Sequence, residues 1–231
     1  MYISELKTYN FRNLSYQTIN FTSGINLIIG NNGQGKTNVL EAINLLSTVR
    51  SFRSSKLAEA ISWHQHEAST FGKIVSSFDG EVNLGISFDR KSKKAYVNSD
   101  QIRSADEFLG KLICVTFTPD DLELVKGGPS ERRKFIDKSI AFLNIKYFRT
   151  LLNYNSALKS KNHILKHSAF ENRSNLHQKI DPWNRLIAKH GAEILKARKE
   201  FVASISSRAQ EIYNDFSPSE EVLGLSLKSA K

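Results

Sequence analysis

Three glycines, a lysine and a threonine set the chemistry to look for in this chain. They lie in Gly30-Asn31-Asn32-Gly33-Gln34-Gly35-Lys36-Thr37-Asn38, which fits the spacing G-x-x-x-x-G-K-[ST]. Glycine at such positions lets the backbone turn sharply and bring successive N–H groups against an anion with no Cβ in the way. Lys36 then supplies a point charge for β- and γ-phosphates, and the positive end of a following helix adds to the attraction. Thr37 offers its hydroxyl to Mg²⁺. The spacing therefore predicts a cradle for ATP and Mg²⁺ over residues 30–38. A plain strand-to-helix turn would explain the glycines but not Lys-Thr at this offset.

Such a loop needs a strand before it and a helix after it. Ile25-Asn26-Leu27-Ile28-Ile29 reads as a buried strand, and the apolar residues at 39, 40, 42, 43, 45, 46 and 49 predict a buried helix ending near Arg50. Upstream, residues 3–14 and 16–21 suggest two edge-like strands beside it. Their Phe11-Arg12-Asn13 puts a cation close to the loop in sequence, so Arg12 is a candidate phosphate contact, against the plainer reading of an exposed strand arginine.

From Phe71 to Val97 the period is two. Ile74 to Phe78, the Asp79-Gly80 turn and Val82 to Phe88 predict a hairpin, followed by a strand at Ala95-Tyr96-Val97-Asn98. Leu112 to Phe117 reads as another apolar strand. The acidic residues after it, Asp120 and Asp121, fit a metal-binding strand end poorly, because Thr118-Pro119 starts a turn there. Gly127-Gly128-Pro129-Ser130 breaks the chain, and the helix behind it carries Arg132, Arg133 and Lys134, candidate contacts for DNA phosphates. Residues 146–213 are mostly helical in pattern, with breaks expected at 168–175 and at Asp181-Pro182. Val222 to Lys228 alternates like the start of a strand. The expected division is an ATP-binding part over 1–128, a helical domain over 129–221 and a strand beginning over 222–231.

Composition narrows the class without naming a function. The chain has 231 residues, 40% hydrophobic and 24% charged, with no apolar run long enough for a membrane span and no signal-peptide pattern at its start. A lone Cys114 fits a cytoplasmic setting. Histidine pairs at 64/66 and 163/167 lack a third ligand, so a zinc site is not expected. The formal net charge is +10, and Lys146 to Glu200 carries twelve Lys and Arg against four Asp and Glu. Charge concentrated in this way suits a polyanionic partner, although a solvated helix face would show the same count.

Taken together, Phe11-Arg12-Asn13, the loop at 30–38, and Phe117-Thr118-Pro119-Asp120-Asp121-Leu122 running through Gly127-Gly128-Pro129 to Arg132-Arg133 resemble the bacterial RecF family of DNA replication and repair proteins. The first two stretches are shared with SMC-like ATPases. The resemblance implies an α/β fold: an ABC/SMC-like ATPase head with a P-loop and a mixed sheet with antiparallel hairpins, carrying an inserted α-helical second domain. It implies binding of ATP and Mg²⁺, an ATP-dependent homodimer in the full-length protein, gapped DNA with single-strand/double-strand junctions as ligand, and recombination mediator proteins as partners. The family's serine-glycine signature and acidic strand end lie later in its chain, and no Leu-Ser-x-Gly-Gln-like segment occurs here. An amino-terminal portion with its carboxyl-terminal part absent is thus expected, binding ATP with little or no hydrolysis. Two other readings remain: a different SMC-like ATPase, which would show sustained heptads not found here, and a passive basic nucleic-acid binder.

Overall fold

Alternation of apolar and polar residues builds a six-stranded sheet in a computed structural model that describes all residues except 55, 78–79, 105–106, 169–172, 218–220 and 229–231. The strands are β1 (Tyr2–Phe11), β2 (Leu14–Asn20), β3 (Glu67–Ser76), β4 (Gly80–Asp89), β5 (Lys93–Val97) and β6 (Asp100–Gln101), in the order β2-β1-β3-β4-β5-β6. Every pairing among the described residues is antiparallel, which accords with the antiparallel hairpins expected from the sequence. One face of the sheet is dry. Leu6, Phe11, Ile74, Leu84 and Ile86 are buried on it and share one core with Ala42, Leu45 and Leu46 of α1 (Lys36–Thr48).

The run Ile25–Ile29 departs from its expected role. It is not a strand: Ile25 is 99% exposed, and Leu27 and Ile29 are also exposed, while Ile28 alone of the run packs against the core. Asn26 closes a turn through hydrogen bonds to Thr22 and Gly24. A short apolar run signals burial on two faces, but no described segment pairs with this one to cover them. The apolar run 112–117 behaves alike, with Val115 94% exposed. It is tied to α1 instead, where the Ser47 hydroxyl donates to the Leu112 carbonyl at 2.8 Å and the Thr116 hydroxyl to the Asn44 side-chain oxygen at 3.1 Å. The residues before the loop also place differently: β1 is interior to the sheet and β2 forms its edge. The expected Asp79 turn lies outside the described residues, although Ser76 and Gly80 pair across it.

The chain divides into two compact units, Met1–Phe117 and Thr118–Lys231, a division upstream of the expected one at 128. The second unit is helical: α2 (Glu123–Lys126), α3 (Pro129–Leu143), α4 (Ile145–His167) and α5 (Arg173–Phe216). Helix α5 runs unbroken through Pro182, where a break was expected. A proline in a helix interior costs about 3 kcal/mol, and here the helix continues on both sides, packing along α4 through residues such as Ile194 and Gly191. Residues 221–228 form no strand.

A half-buried polar knot ties three of these helices. Asp137 of α3 accepts from Arg198 of α5 through Nε and Nη2, both at 2.7 Å, and from the Tyr147 hydroxyl of α4 at 2.5 Å. Burial first, and then the hydrogen bond to this carboxylate, hold the Tyr147 phenol above its ordinary value. A raised value in the fold means that this contribution is whole below about pH 10 and drains away as the pH climbs toward the raised value. Replacing Arg198 by Ala leaves Asp137 short of its charge partner, and should cost about 2–3 kcal/mol in urea unfolding. An unchanged midpoint would show that Ile140, Tyr147 and Ile194 hold the unit by packing alone.

Candidate nucleotide-binding site

Helix α1 starts one residue after Gly35, so the loop leads directly into its N-terminus. Gly33 and Gly35 adopt φ of +81° and +98°, which side-chain-bearing residues rarely tolerate. A Cβ on Gly35 would also lie 2.7 Å from Asn13 Oδ1. Lys36 folds back across the loop, its ammonium donating to the carbonyls of Gly30 at 2.6 Å and Asn31 at 2.8 Å. Thr37 is exposed in the first turn of the helix. The backbone of 30–37 thus wraps a helix N-terminus with a cation at its rim and a free-facing hydroxyl beside it, a donor set suited to a triphosphate and its magnesium ion.

What positions the loop is a carboxylate one turn further on. Glu41 is wholly buried in α1, and both its oxygens are taken. Arg12 donates Nε at 3.0 Å and Nη2 at 2.7 Å, Ser51 donates its hydroxyl at 2.5 Å, and Arg53 lies 3.7 Å away. From there the polar contacts return to the loop. Arg53 donates to Asn38 at 2.6 Å, Asn38 to Asn13 at 2.7 Å, and Asn13 to the Gly33 carbonyl at 2.8 Å. Since Arg12 and Asn13 are the two residues of the β1–β2 turn, the contacts form a closed ring through turn, helix and loop.

The backbone explains why Arg12 reaches this place. Its φ is +56°, and the turn is pinned by the Arg12 amide on Ala60 at 2.7 Å and by Ser62 on the Arg12 carbonyl at 2.6 Å. With Nη1 on the Glu59 carbonyl and Nη2 also on Ser54, the guanidinium is occupied inside the protein. Arg12, a candidate phosphate contact by sequence, is therefore placed as a brace for the loop. Glu41, Asn13, Ser51 and Arg53 were not singled out as site residues. The signal for Glu41 was present: a single acid in the otherwise apolar Val39-Leu40-Glu41-Ala42-Ile43.

The three cations proposed for DNA sit in the other unit, and the structure gives them different tasks. Arg132 donates to the carbonyls of Leu124, Val125 and Gly127, each at 3.1 Å, and so caps the end of α2. Lys134 pairs with Glu131 at 2.8 Å, and that ammonium holds the Glu131 carboxyl below its usual range. Arg133 is exposed. Asp121 is used to cap Thr118, accepting from its amide and hydroxyl. Among the described residues no group of three His, Cys, Asp or Glu is placed to hold a metal, and no helix is long and apolar enough to cross a membrane.

Residues 1–226 match the family model of the AAA ATPase domain. The DNA replication and repair protein RecF of Caldanaerobacter subterraneus subsp. tengcongensis is 36% identical over 221 residues, covering 93% of this chain and 60% of that protein. RecF of Desulfitobacterium hafniense is 37% identical over 223 residues, covering 96% and 60%. The chain thus spans about 60% of the length of these curated relatives. The solved structure of the recombination mediator protein RecF with ATP, from the RecFOR pathway, superposes with a TM-score of 0.87 at 34% identity, covering 94% of this chain and 58% of that one. A Pyrococcus furiosus Smc head domain superposes with a TM-score of 0.54 at 21% identity, covering 94% and 65%, a likeness of fold alone.

Glu41→Ala should leave the Arg12 guanidinium, itself only 18% exposed, without its counter-charge. The expected loss is about 3–5 kcal/mol, read from urea unfolding. A variant as stable as the parent would remove the ion pair from its place as the brace.

Proposed function

We propose that this chain, which belongs to the AAA ATPase domain family and is similar to RecF along nearly all of its length, is the nucleotide-holding part of a RecF-like DNA repair protein. The observation that carries the proposal is the cradle. The amides of residues 30–37 would hold the phosphates, Lys36, now on the Gly30 and Asn31 carbonyls, would supply its charge to the β- and γ-oxygens, and Thr37 would offer its hydroxyl to Mg²⁺. Bound ATP and Mg²⁺ supply a dense, partly neutralised charge that these groups can grip. Asn38 and Asn13 keep the loop in shape, and Arg12 acts through Glu41 and not on the phosphates. No residue of this chain is assigned to the hydrolytic step; its part is to bind.

The second half of the proposal is DNA. The helical unit carries most of the chain's positive excess, and phosphate contacts made by such a surface release counterions. Gapped DNA with a single-strand/double-strand junction is the proposed ligand, held under the control of ATP. A homodimer around the nucleotide and an association with other recombination mediators are proposed for the full-length protein.

Lys36→Ala should weaken binding of a fluorescent ATP analogue about ten- to a hundredfold, the worth of a charge-assisted hydrogen bond to phosphate. Thr37→Ala should weaken it with Mg²⁺ present and do little in EDTA. Equal affinities for parent and Lys36→Ala would dismiss the cradle. On gapped DNA, an affinity indifferent both to ATP and to salt would dismiss the second half.

A further inference from the structure

We infer that one exposed stripe of α4, made by Lys159, His163, Lys166 and His167, is the surface that takes the DNA phosphate backbone. The inference deepens the proposed DNA binding and rests on it. Its first support is how cations are treated elsewhere. Lys134 is answered by Glu131, Lys196 by Glu200, Arg208 by Glu211, and Arg198 by Asp137, while on the sheet Lys7 faces Glu5 and Lys73 faces Glu81. Helix α4 is different in kind. Its 23 residues contain five Lys and Arg and two His, with no Asp or Glu at all. A solvated helix face ordinarily mixes signs, since opposite charges three or four apart stabilise it and like charges do the reverse.

The second support is position. Residues 159, 163 and 166/167 recur at the spacing that lines one side of a helix. The opposite side is the packed one: Tyr147, Thr150 and Ala157 are buried, Leu151 and Tyr154 join the same core, and Thr150 donates to Glu193 of α5 at 3.2 Å. Glu193 of α5 therefore meets α4 across the helix from the stripe. The rings of His163 and His167 lie 4.5 Å apart between centroids, and both residues are exposed. Lys159 to Lys166 spans about 11 Å of helix axis, over which one strand of duplex carries about three phosphates. An acidic protein could meet the same charges, but the relatives are named for DNA replication and repair, and the stripe lacks the apolar centre that protein interfaces use.

The test compares two double charge reversals of equal size by fluorescence anisotropy on labelled gapped DNA across a salt series. Lys159→Glu with Lys166→Glu should lower affinity by more than about tenfold and flatten the salt slope by about 2, one unit for each lost phosphate contact. Lys196→Glu with Lys199→Glu, on α5, should lower it less than about threefold. All four side chains lie at the surface of a helix, and the milder Lys159→Gln with Lys166→Gln, expected to fall between, guards against loss of folding, which circular dichroism would report. Equal losses from the two reversals, or an unchanged slope for the α4 pair, would overturn the stripe while leaving salt-dependent DNA binding by the chain intact. A parent chain that binds no DNA would overturn both the stripe and the function it rests on.

Discussion

A carboxylate with no access to water has to be neutralised where it stands, and the site is organised by how Glu41 meets that requirement. An unpaired buried charge costs several kcal/mol. Arg12 removes most of that cost with two parallel hydrogen bonds, and Ser51 takes a further lone pair. Neither partner belongs to α1. One comes from the turn between β1 and β2, the other from the segment after the helix, so the carboxylate fixes the helix against both. Asn13, one residue beyond Arg12, then holds the Gly33 carbonyl. A buried charge pair is thereby carried, through Arg53, Asn38 and Asn13, into the shape of a surface loop.

Preorganisation is what such a loop contributes. Phosphate binding draws on aimed amides and a nearby ammonium, and each is worth more when no rearrangement has to be made on binding. The glycines provide the conformation but do not choose it, because the same residues are free in many others. The choice is made by the ring of contacts from Glu41 through Arg53, Asn38 and Asn13. In the helical unit the same logic is applied to a different end. There Asp137 gathers Arg198 and Tyr147 to lock three helices, while α4 carries five Lys and Arg with no acid of its own.

How much of this was readable in the residues depends on how local the physics is. The glycine turn leading into α1 was readable, since its residues act within nine consecutive positions. The β3–β4 hairpin was readable for the same reason, because alternation and a short turn are near-neighbour effects. The roles of Arg12 and Arg132 were not. Each looked like a cation offered to a ligand, yet one is held by a carboxylate 29 positions away and the other by carbonyls of the preceding helix. Apolar runs misled in a related way. Ile25 to Ile29 and 112–117 announce a wish for burial, but whether a neighbouring strand answers it is a long-range fact. Pro182 failed as a helix breaker because packing along α4 outweighs a local penalty.

The claim that a preset cradle receives a triphosphate is most directly examined by amide hydrogen exchange over residues 30–37, with and without ATP and Mg²⁺. The account predicts marked slowing of these amides on adding nucleotide, with little change in the already protected strands β1 and β3. Exchange in the loop that stays the same at saturating nucleotide, or slowing confined to other parts of the chain, would contradict it.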